Sequence, residues 1–322
     1  MAYNNLISRT DAAALIPEEV GFDILNRVAE TNPLLTLARR LPNMSGAQKR
    51  LPVMSALATA YFVSGDTGLK QSTEVNWENK YIDAEELAVI VPIPEAVLDD
   101  ADYDIWGQLK PEIVSATNVA IAGAVLYGTN IPSTWTTDLG AAGIVALCTA
   151  ASQTISAAAY TDYYEAILGE TDAGTDGLFM LVEADGFAVT GSLAHLSMKG
   201  ILRNVRDANG QPIFRTNMQD SSRYELDGTP LYFPNDGSIV AASSLMISGD
   251  WSQLVYSMRQ DITYKVLDQA VIQDAAGTIM YNLAQQDMVA LRAVMRIGFA
   301  LPNPINRVNT ASTRCPFATL TA

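Results

Sequence analysis

Three aspartates at alternate positions, Asp100, Asp102 and Asp104, are the most metal-like feature of the chain. Their spacing mimics the start of a calcium loop, where carboxylate oxygens surround a hard cation. Such a loop needs Gly at its sixth position and Glu at its twelfth, and here those positions hold Ile105 and Pro111. The aspartates read better as capping charge at the start of a helix, where the macrodipole favours anions. His195, the single histidine, could be a general base, but no G-x-S-x-G supplies a nucleophile for it. One histidine also excludes an HExxH motif and any multi-histidine zinc site. Lys70 could be reactive or bind an anion, and the plainer reading is a solvated turn residue. Trp77, Trp106, Trp135 and Trp251 are scattered, which suits packing anchors better than stacking platforms. Cys148 and Cys315 are far apart in sequence, so no disulfide framework is expected, and a reducing compartment is the simple reading. Neither a P-loop nor a dinucleotide fingerprint occurs. No catalytic residue, cofactor or metal is expected.

The elements that carry these residues are those of a folded, assembling protein. At 322 residues, about two domains are expected at roughly 100–200 residues each. Hydrophobic residues make up 49 % and charged residues only 17 %, where about 25 % charged is usual. A sizeable core follows, and part of the nominal surface is expected to be covered by other subunits. The formal net charge of −15 argues against a dedicated nucleic-acid or anionic-membrane binder. The first twenty residues have no basic patch followed by an apolar stretch, so no signal peptide is expected. No apolar run is long enough to span a membrane.

Residues 1–56 read as an arm with short helices. Pro17 suits a first helical position, and Val20, Ile24, Leu25 and Val28 recur at helical spacing. Residues 57–85 read as a long hairpin that turns at Gly65–Gly68. On its return limb Val75, Trp77 and Tyr81 share one face, with polar residues between them. Such a ribbon is marginal alone in water and is expected to lie on a neighbouring subunit. Leu87–Ile93 reads as a strand. A long helix from Asp104 to Tyr127 follows, capped by Asp102 or Asp104, with Ile105, Leu109, Ile113, Ala116, Ala120, Ala124 and Tyr127 on one face. It would be roughly 36 Å long at 1.5 Å per residue.

Residues 129–150 read as loop-rich, 152–168 as a helix, 178–182 as a buried strand, and 192–205 as a helix capped by Ser192. Short strands are expected at 231–233, 245–247 and 254–266. A period-two strand runs through Val289, Leu291, Ala293, Met295, Ile297 and Phe299. The fold class is α+β.

The order of these elements resembles the Hong Kong 97-like major capsid proteins of tailed bacteriophages, over nearly the whole chain. The most specific stretch is AVIVPIPEAVLDDADYDIWGQLKPEIVSATNVAIAGAVLYG, a strand leading into a long helix that ends at glycine. LIPEEVGFDILNRV resembles the family's arm, and 57–85 its extended loop. LRNVRDANGQPIF, LDGTPLYF, Gly249-Asp250-Trp251 and DMVALRAVMRIGFALPNP resemble segments of its axial and peripheral domains.

The resemblance implies an arm over 1–56, an extended loop over 57–85 and a peripheral domain with spine helix over 86–177. It further implies an axial domain over 178–284 and a returning peripheral strand and tail over 285–322. It also implies pentamers and hexamers closing into an icosahedral shell around double-stranded DNA, without sequence-specific contacts. The partners it implies are further copies of the chain, a portal, an optional decoration protein, and a scaffolding protein that is separate, if there is one, because Met1 lies close to the arm. Assembly would occur in the host cytoplasm. Phe62, Lys70, Val75, Trp77 and Tyr81 of the loop, with Ile24 and Leu25 of the arm, are the expected interface residues.

Some members join subunits by a lysine–asparagine isopeptide bond assisted by a glutamate. Lys70 could supply the amine, but Thr278 and Gln285 fall at the asparagine and glutamate positions, so a non-covalent shell is expected. Two other readings are an encapsulin-type compartment around a cargo enzyme, and a soluble hydrolase using the aspartate cluster and His195.

Overall fold

The computed structural model describes residues 32–63, 68–100, 105–169, 176–206 and 224–322. Two sheets organise it. The first is four-stranded, in the order β1 (Arg39–Arg40), β10 (Val255–Leu267), β13 (Met288–Ala300), β4 (Glu85–Pro94). β10 and β13 form a long antiparallel pair running from Val255↔Ala300 to Leu267↔Ala290. β4 pairs with the other side of β13, from Met288↔Pro94 to Ile297↔Glu85. It is an edge strand, which is why Pro92 and Pro94 are tolerated in it. The expected alternation of β13 holds from Leu291 to Ile297, where Leu291, Ala293, Met295 and Ile297 are buried and Arg292, Val294 and Arg296 half-exposed; at its ends it does not, since Val289 is only half-buried, Ala290 is buried, and Gly298, Phe299 and Ala300 are all buried.

The inward face of this sheet packs with α3 (Ile105–Tyr127), the long helix. Gly128, at φ +67°, ends it, and an added Cβ there would lie 2.5 Å from Ala142 Cα. The expected capping residues Asp102 and Asp104 lie outside the described residues. The buried face differs from the expected one. Ile113, Ala124 and the half-buried Tyr127 lie on it, but Ala116 and Ala120 are exposed. Val114, Thr117, Asn118, Ile121, Ala122 and Val125 are buried instead. The larger side chains won the core, because burying them removes more apolar area from water than burying alanine. Thr117 satisfies its hydroxyl on Ile113 O at 2.8 Å. Asn118 accepts from Asn32 Nδ2 at 3.3 Å, and Asn32 caps α1 (Pro33–Leu37) by accepting from Leu34 N. Pro111 sits inside α3 and has no N–H for the carbonyl of residue 107, a cost of about 3 kcal/mol that packing must offset.

The second sheet is six-stranded, in the order β5 (Thr154–Ser156), β14 (Phe317–Thr321), β9 (Met246–Gly249), β6 (Gly191–Ala194), β8 (Thr229–Tyr232), β7 (Tyr224–Leu226). One face is covered by α6 (Tyr163–Leu168), α7 (Leu178–Ala184) and α8 (Leu196–Asn204), through Ile167, Phe179, Val182, Met198 and Leu202. The other face joins the core of the four-stranded sheet through Leu193, Ile247 and Phe317.

Several local expectations are corrected here. Residues 178–182 are helical, since Leu178, Phe179 and Val182 bury one helical stripe and a short apolar run does not distinguish strand from helix. Ser192 lies in β6, and the helix begins after His195. The expected 152–168 helix is β5, a 3-10 turn at Ala157–Ala159, and α6. Thr154 and Ile155 are instead drawn into a parallel pairing with β14. The nominal loop 129–150 contains α4 (Thr136–Leu139) and α5 (Gly143–Ala150).

The two sheets join at Gly249-Asp250-Trp251, between β9 and β10. Trp251 is fully buried. Its indole N–H donates to Gly191 O at 2.9 Å, and its ring meets that of Phe317 at 4.9 Å. Asp250 accepts from Ser252 N, Ser252 Oγ and Gln253 Nε2. Gly249 admits no side chain, because a Cβ would sit 2.2 Å from Pro316 O. Trp251→Ala should therefore lower the stability of the disassembled protein by about 3–5 kcal/mol. Denaturant titration should show the midpoint falling at an unchanged slope. A loss below about 1 kcal/mol would contradict the junction's importance.

Candidate assembly interface

Among the described residues no three His, Cys, Asp or Glu side chains are placed to hold a metal. Asp100 ends α2 (Glu95–Asp100), and Asp102 and Asp104 lie outside the described residues. His195 is a helix cap: its Nδ1 accepts from Ser197 N at 3.2 Å and lies 2.8 Å from Ser197 Oγ.

The expected loop residues are carried on a ribbon. Its ladder pairs β2 (Gln48–Met54) with β3 (Trp77–Asp83), from Gln48↔Asp83 to Met54↔Trp77. The outgoing strand thus lies earlier than the expected 57–63 limb. Beyond the ladder the two limbs stay side by side. Ser55 N donates to Asn76 O, Thr59 N to Thr73 Oγ1 and Tyr61 OH to Gln71 O.

Apolar side chains concentrate on this ribbon in the open. Phe62 is 106 % exposed relative to a free residue, Leu69 86 % and Trp77 67 %. Met54, Tyr61, Val63 and Tyr81 are exposed as well. Lys70 is exposed and Val75 half-buried. Ile24 and Leu25 lie outside the described residues. Exposed aromatic and aliphatic side chains close together mark interaction surfaces rather than ordinary surface scatter.

The root of the ribbon is held firmly. Ile82 is fully buried with Met44, Val255 and Ala300. Gly298 of β13 lets the ribbon approach, since a Cβ there would lie 2.6 Å from both Asp83 O and Ile82 Cγ2. Trp135 Nε1 donates to Asp83 O at 2.9 Å. Arg296 Nη2 and Nε both donate to Glu86 Oε2, at 2.7 and 3.1 Å. Lys80 Nζ lies 3.4 Å from Asp138 Oδ1. An apolar groove of about 430 Å³ runs beside the root, lined by Leu87, Val119, Ala120, Ala124, Tyr127 and Trp135 among others.

A second projection was not read from the sequence. β11 (Val271–Gln273) and β12 (Ile279–Asn282) pair as a hairpin that exposes Val271, Ile279, Met280 and Tyr281. Its turn is organised by Asp274 Oδ1, which accepts from Ala276 N and Thr278 N, and by Gly277 at φ +83°. The Asp-Ala-Ala-Gly turn between two short apolar runs was the available signal. Thr278 lies in this turn. Asn282 Nδ2 donates to Gln285 Oε1 at 2.8 Å.

Comparison with known proteins gives these surfaces a context. The phage capsid family matches residues 12–306. The chain belongs to the phage capsid family. It is 24 % identical over 300 residues to the major capsid protein of Staphylococcus phage 80alpha, covering 91 % of this chain and 84 % of that one. It is also 24 % identical to a probable major capsid protein of Mycobacterium phage D29, over 88 % of this chain and 86 % of that one. A solved structure from Microbacterium phage Oxtober96 is 30 % identical, with a TM-score of 0.75 over 98 % of this chain and 99 % of that one. The fold is the Hong Kong 97-like capsid fold. This capsid protein is a structural component of the virion and not an enzyme, and it assembles with copies of itself into an icosahedral shell. The encapsulin reading is not favoured, and neither is the hydrolase.

The Lys80–Asp138 contact makes the capsid protein's ribbon root sensitive to pH. The Asp138 side chain is only 7 % exposed. Burial raises its carboxyl above the usual carboxylate range, the Lys80 ammonium pulls it back, and Glu78 and Asp83 add to the rise. The folded state therefore binds this proton more tightly than the unfolded chain. This group's contribution to stability falls as pH rises from its unfolded value through its folded one. Asp138→Asn should thus be more stable than the wild type near neutral pH. The gap should narrow on acidification towards the unfolded carboxylate value of about 3.9, measured by denaturant titration at about pH 7 and about pH 4. A variant clearly less stable near neutral pH would show that the ion pair outweighs its desolvation.

Proposed function

We propose that the chain forms pentamers and hexamers that close into a shell around double-stranded DNA, and that the exposed ribbon is what joins neighbouring subunits. The full exposure of Phe62 is the observation that carries this reading, since no monomer gains from holding a phenyl ring in water. Phe62, Lys70, Val75, Trp77 and Tyr81 of the ribbon, with Ile24 and Leu25 of the arm, pack on adjacent subunits. The four-stranded sheet with α3 corresponds to the family's peripheral domain, and the six-stranded sheet to its axial domain. The proposed linear segments are the arm 1–56, loop 57–85, peripheral 86–177, axial 178–284 and returning strand 285–322. β5 and β14 nevertheless pair in the six-stranded sheet, and β10 in the four-stranded one.

Head-to-tail contacts of such projections close into rings when the rotation fits, which suits capsomers. The net charge of −15 supports a wall that encloses DNA without gripping it, because many basic contacts would make strong, salt-dependent binding. A portal is the expected further partner, with a scaffolding protein and a decoration protein as optional ones, and assembly takes place in the host cytoplasm.

Phe62→Ser with Leu69→Ser should leave the disassembled protein's stability within about 0.5 kcal/mol, as for other exposed sites. In light scattering the same variant should give far fewer large particles than the wild type. Normal particle yield would defeat the ribbon's role.

The shell is held without covalent welds. An isopeptide bond needs an uncharged lysine, an amide carbon and a proton-shuttling carboxylate. Thr278 has no amide, and Gln285 cannot accept a proton as a carboxylate does. Boiled particles on a denaturing gel should give one band near 34.6 kDa, and a ladder of joined subunits that survives reductant would contradict this.

A further inference from the structure

The two cysteines, distant in sequence, meet in the fold. Cys148 on α5 and Cys315, just before β14, lie with their sulfurs 3.9 Å apart. Both are buried, and both are thiols. Cys148 Sγ lies within hydrogen-bonding reach of both Cys315 Sγ and Phe317 O, the latter at 3.3 Å. A disulfide bond of about 2.05 Å would need the sulfurs to close by about 2 Å.

A route for a small reagent also exists. A cavity of about 510 Å³ has Cys315 in its wall, with Arg314, Pro316, Asn303, Lys80 and Leu147. Cys148 does not line that cavity, so the two thiols differ in access. They differ in chemistry too. Burial pushes the Cys148 thiol well up, whereas the hydrogen bond from Cys148 pulls the Cys315 thiol down. The thiolate, the nucleophilic form, is therefore favoured at the sulfur that borders the cavity.

We propose that Cys148 and Cys315 form a latent intrachain cross-link, closed when hydrogen peroxide reaches Cys315 through this cavity. The Cys315 thiolate attacks one oxygen of hydrogen peroxide, the O–O bond breaks, and the departing hydroxide takes the proton that the Cys315 thiol gave up and leaves as water. Cys315 is then a sulfenic acid. The Cys148 sulfur attacks the Cys315 sulfur, the S–O bond breaks, the Cys148 proton goes to the departing hydroxyl, and a second water leaves. Two thiols are oxidised to one disulfide, and one peroxide is reduced to two waters. The bond staples α5 to β14, which lies between β5 and β9 in the six-stranded sheet, and closes a ring across 167 residues of chain. It would form outside the reducing interior of a cell.

The test uses assembled particles prepared in reductant, exchanged into buffer, exposed to dilute hydrogen peroxide and quenched with catalase. The protein is then denatured, treated with N-ethylmaleimide and weighed intact. The expected chain is lighter by two hydrogens and carries no maleimide, while reduction before alkylation restores two adducts. Two maleimide adducts after peroxide, or a covalent dimer in place of the lighter monomer, would overturn the proposal. In Cys148→Ser particles the resolving thiol is gone, so dimedone should trap Cys315 as a sulfenic acid. Its failure to do so would overturn Cys315 as the first sulfur oxidised.

Discussion

The burial of Trp251 at the junction of two sheets is the constraint on which the rest of the molecule depends. β9 ends at Gly249 in one sheet and β10 begins at Val255 in the other. The chain between them must turn, bury an indole and satisfy its polar groups away from water. Gly191 O takes the indole proton, Thr190 Oγ1 takes the backbone proton of Trp251, and Asp250 caps the short turn. A buried indole N–H without a partner would carry a desolvation cost of about 1–3 kcal/mol. Once this corner is set, the orientation of β10 and β13 follows, and with it the platform on which the ribbon stands.

The ribbon combines a rigid base with an open end. Ile82, Gly298 and Trp135 hold the base in the core, and Arg296–Glu86 and Lys80–Asp138 flank it. Farther out, the limbs are linked by a few side-chain and backbone hydrogen bonds, and the apolar residues have no core of their own. A two-stranded ribbon of this kind is marginal in isolation. A firm root allows a projecting element to reach a neighbour in a fixed direction, so less conformational entropy is lost when contact is made. The β11–β12 hairpin repeats this pattern at the far end of the β10–β13 pair.

Charge has a smaller part in the fold than in its setting. The Glu86–Arg296 contact is largely exposed, and exposed pairs contribute only about 0–1 kcal/mol. The buried Asp138 carboxylate is opposed by its own desolvation. Apolar burial and satisfied backbone groups therefore carry the fold.

The amino-acid sequence alone determined the long helix, the alternating strand β13, the presence of an exposed ribbon and the order of elements that resembles a capsid protein. Those features are written in local periodicity, which survives without knowledge of contacts. Tertiary structure decided which face of α3 is buried, because Val114 and Ile121 compete with Ala116 and Ala120 for one sheet. It decided that Leu178–Ala184 is a helix and that Thr154–Ser156 is a strand, because short apolar runs take the form that their neighbours can cover. It also brought together Lys80 with Asp138 and Cys148 with Cys315. Such pairs, 58 positions apart in one case and 167 in the other, leave no local pattern to read. Their proximity is a consequence of how two sheets and a helix fill one core.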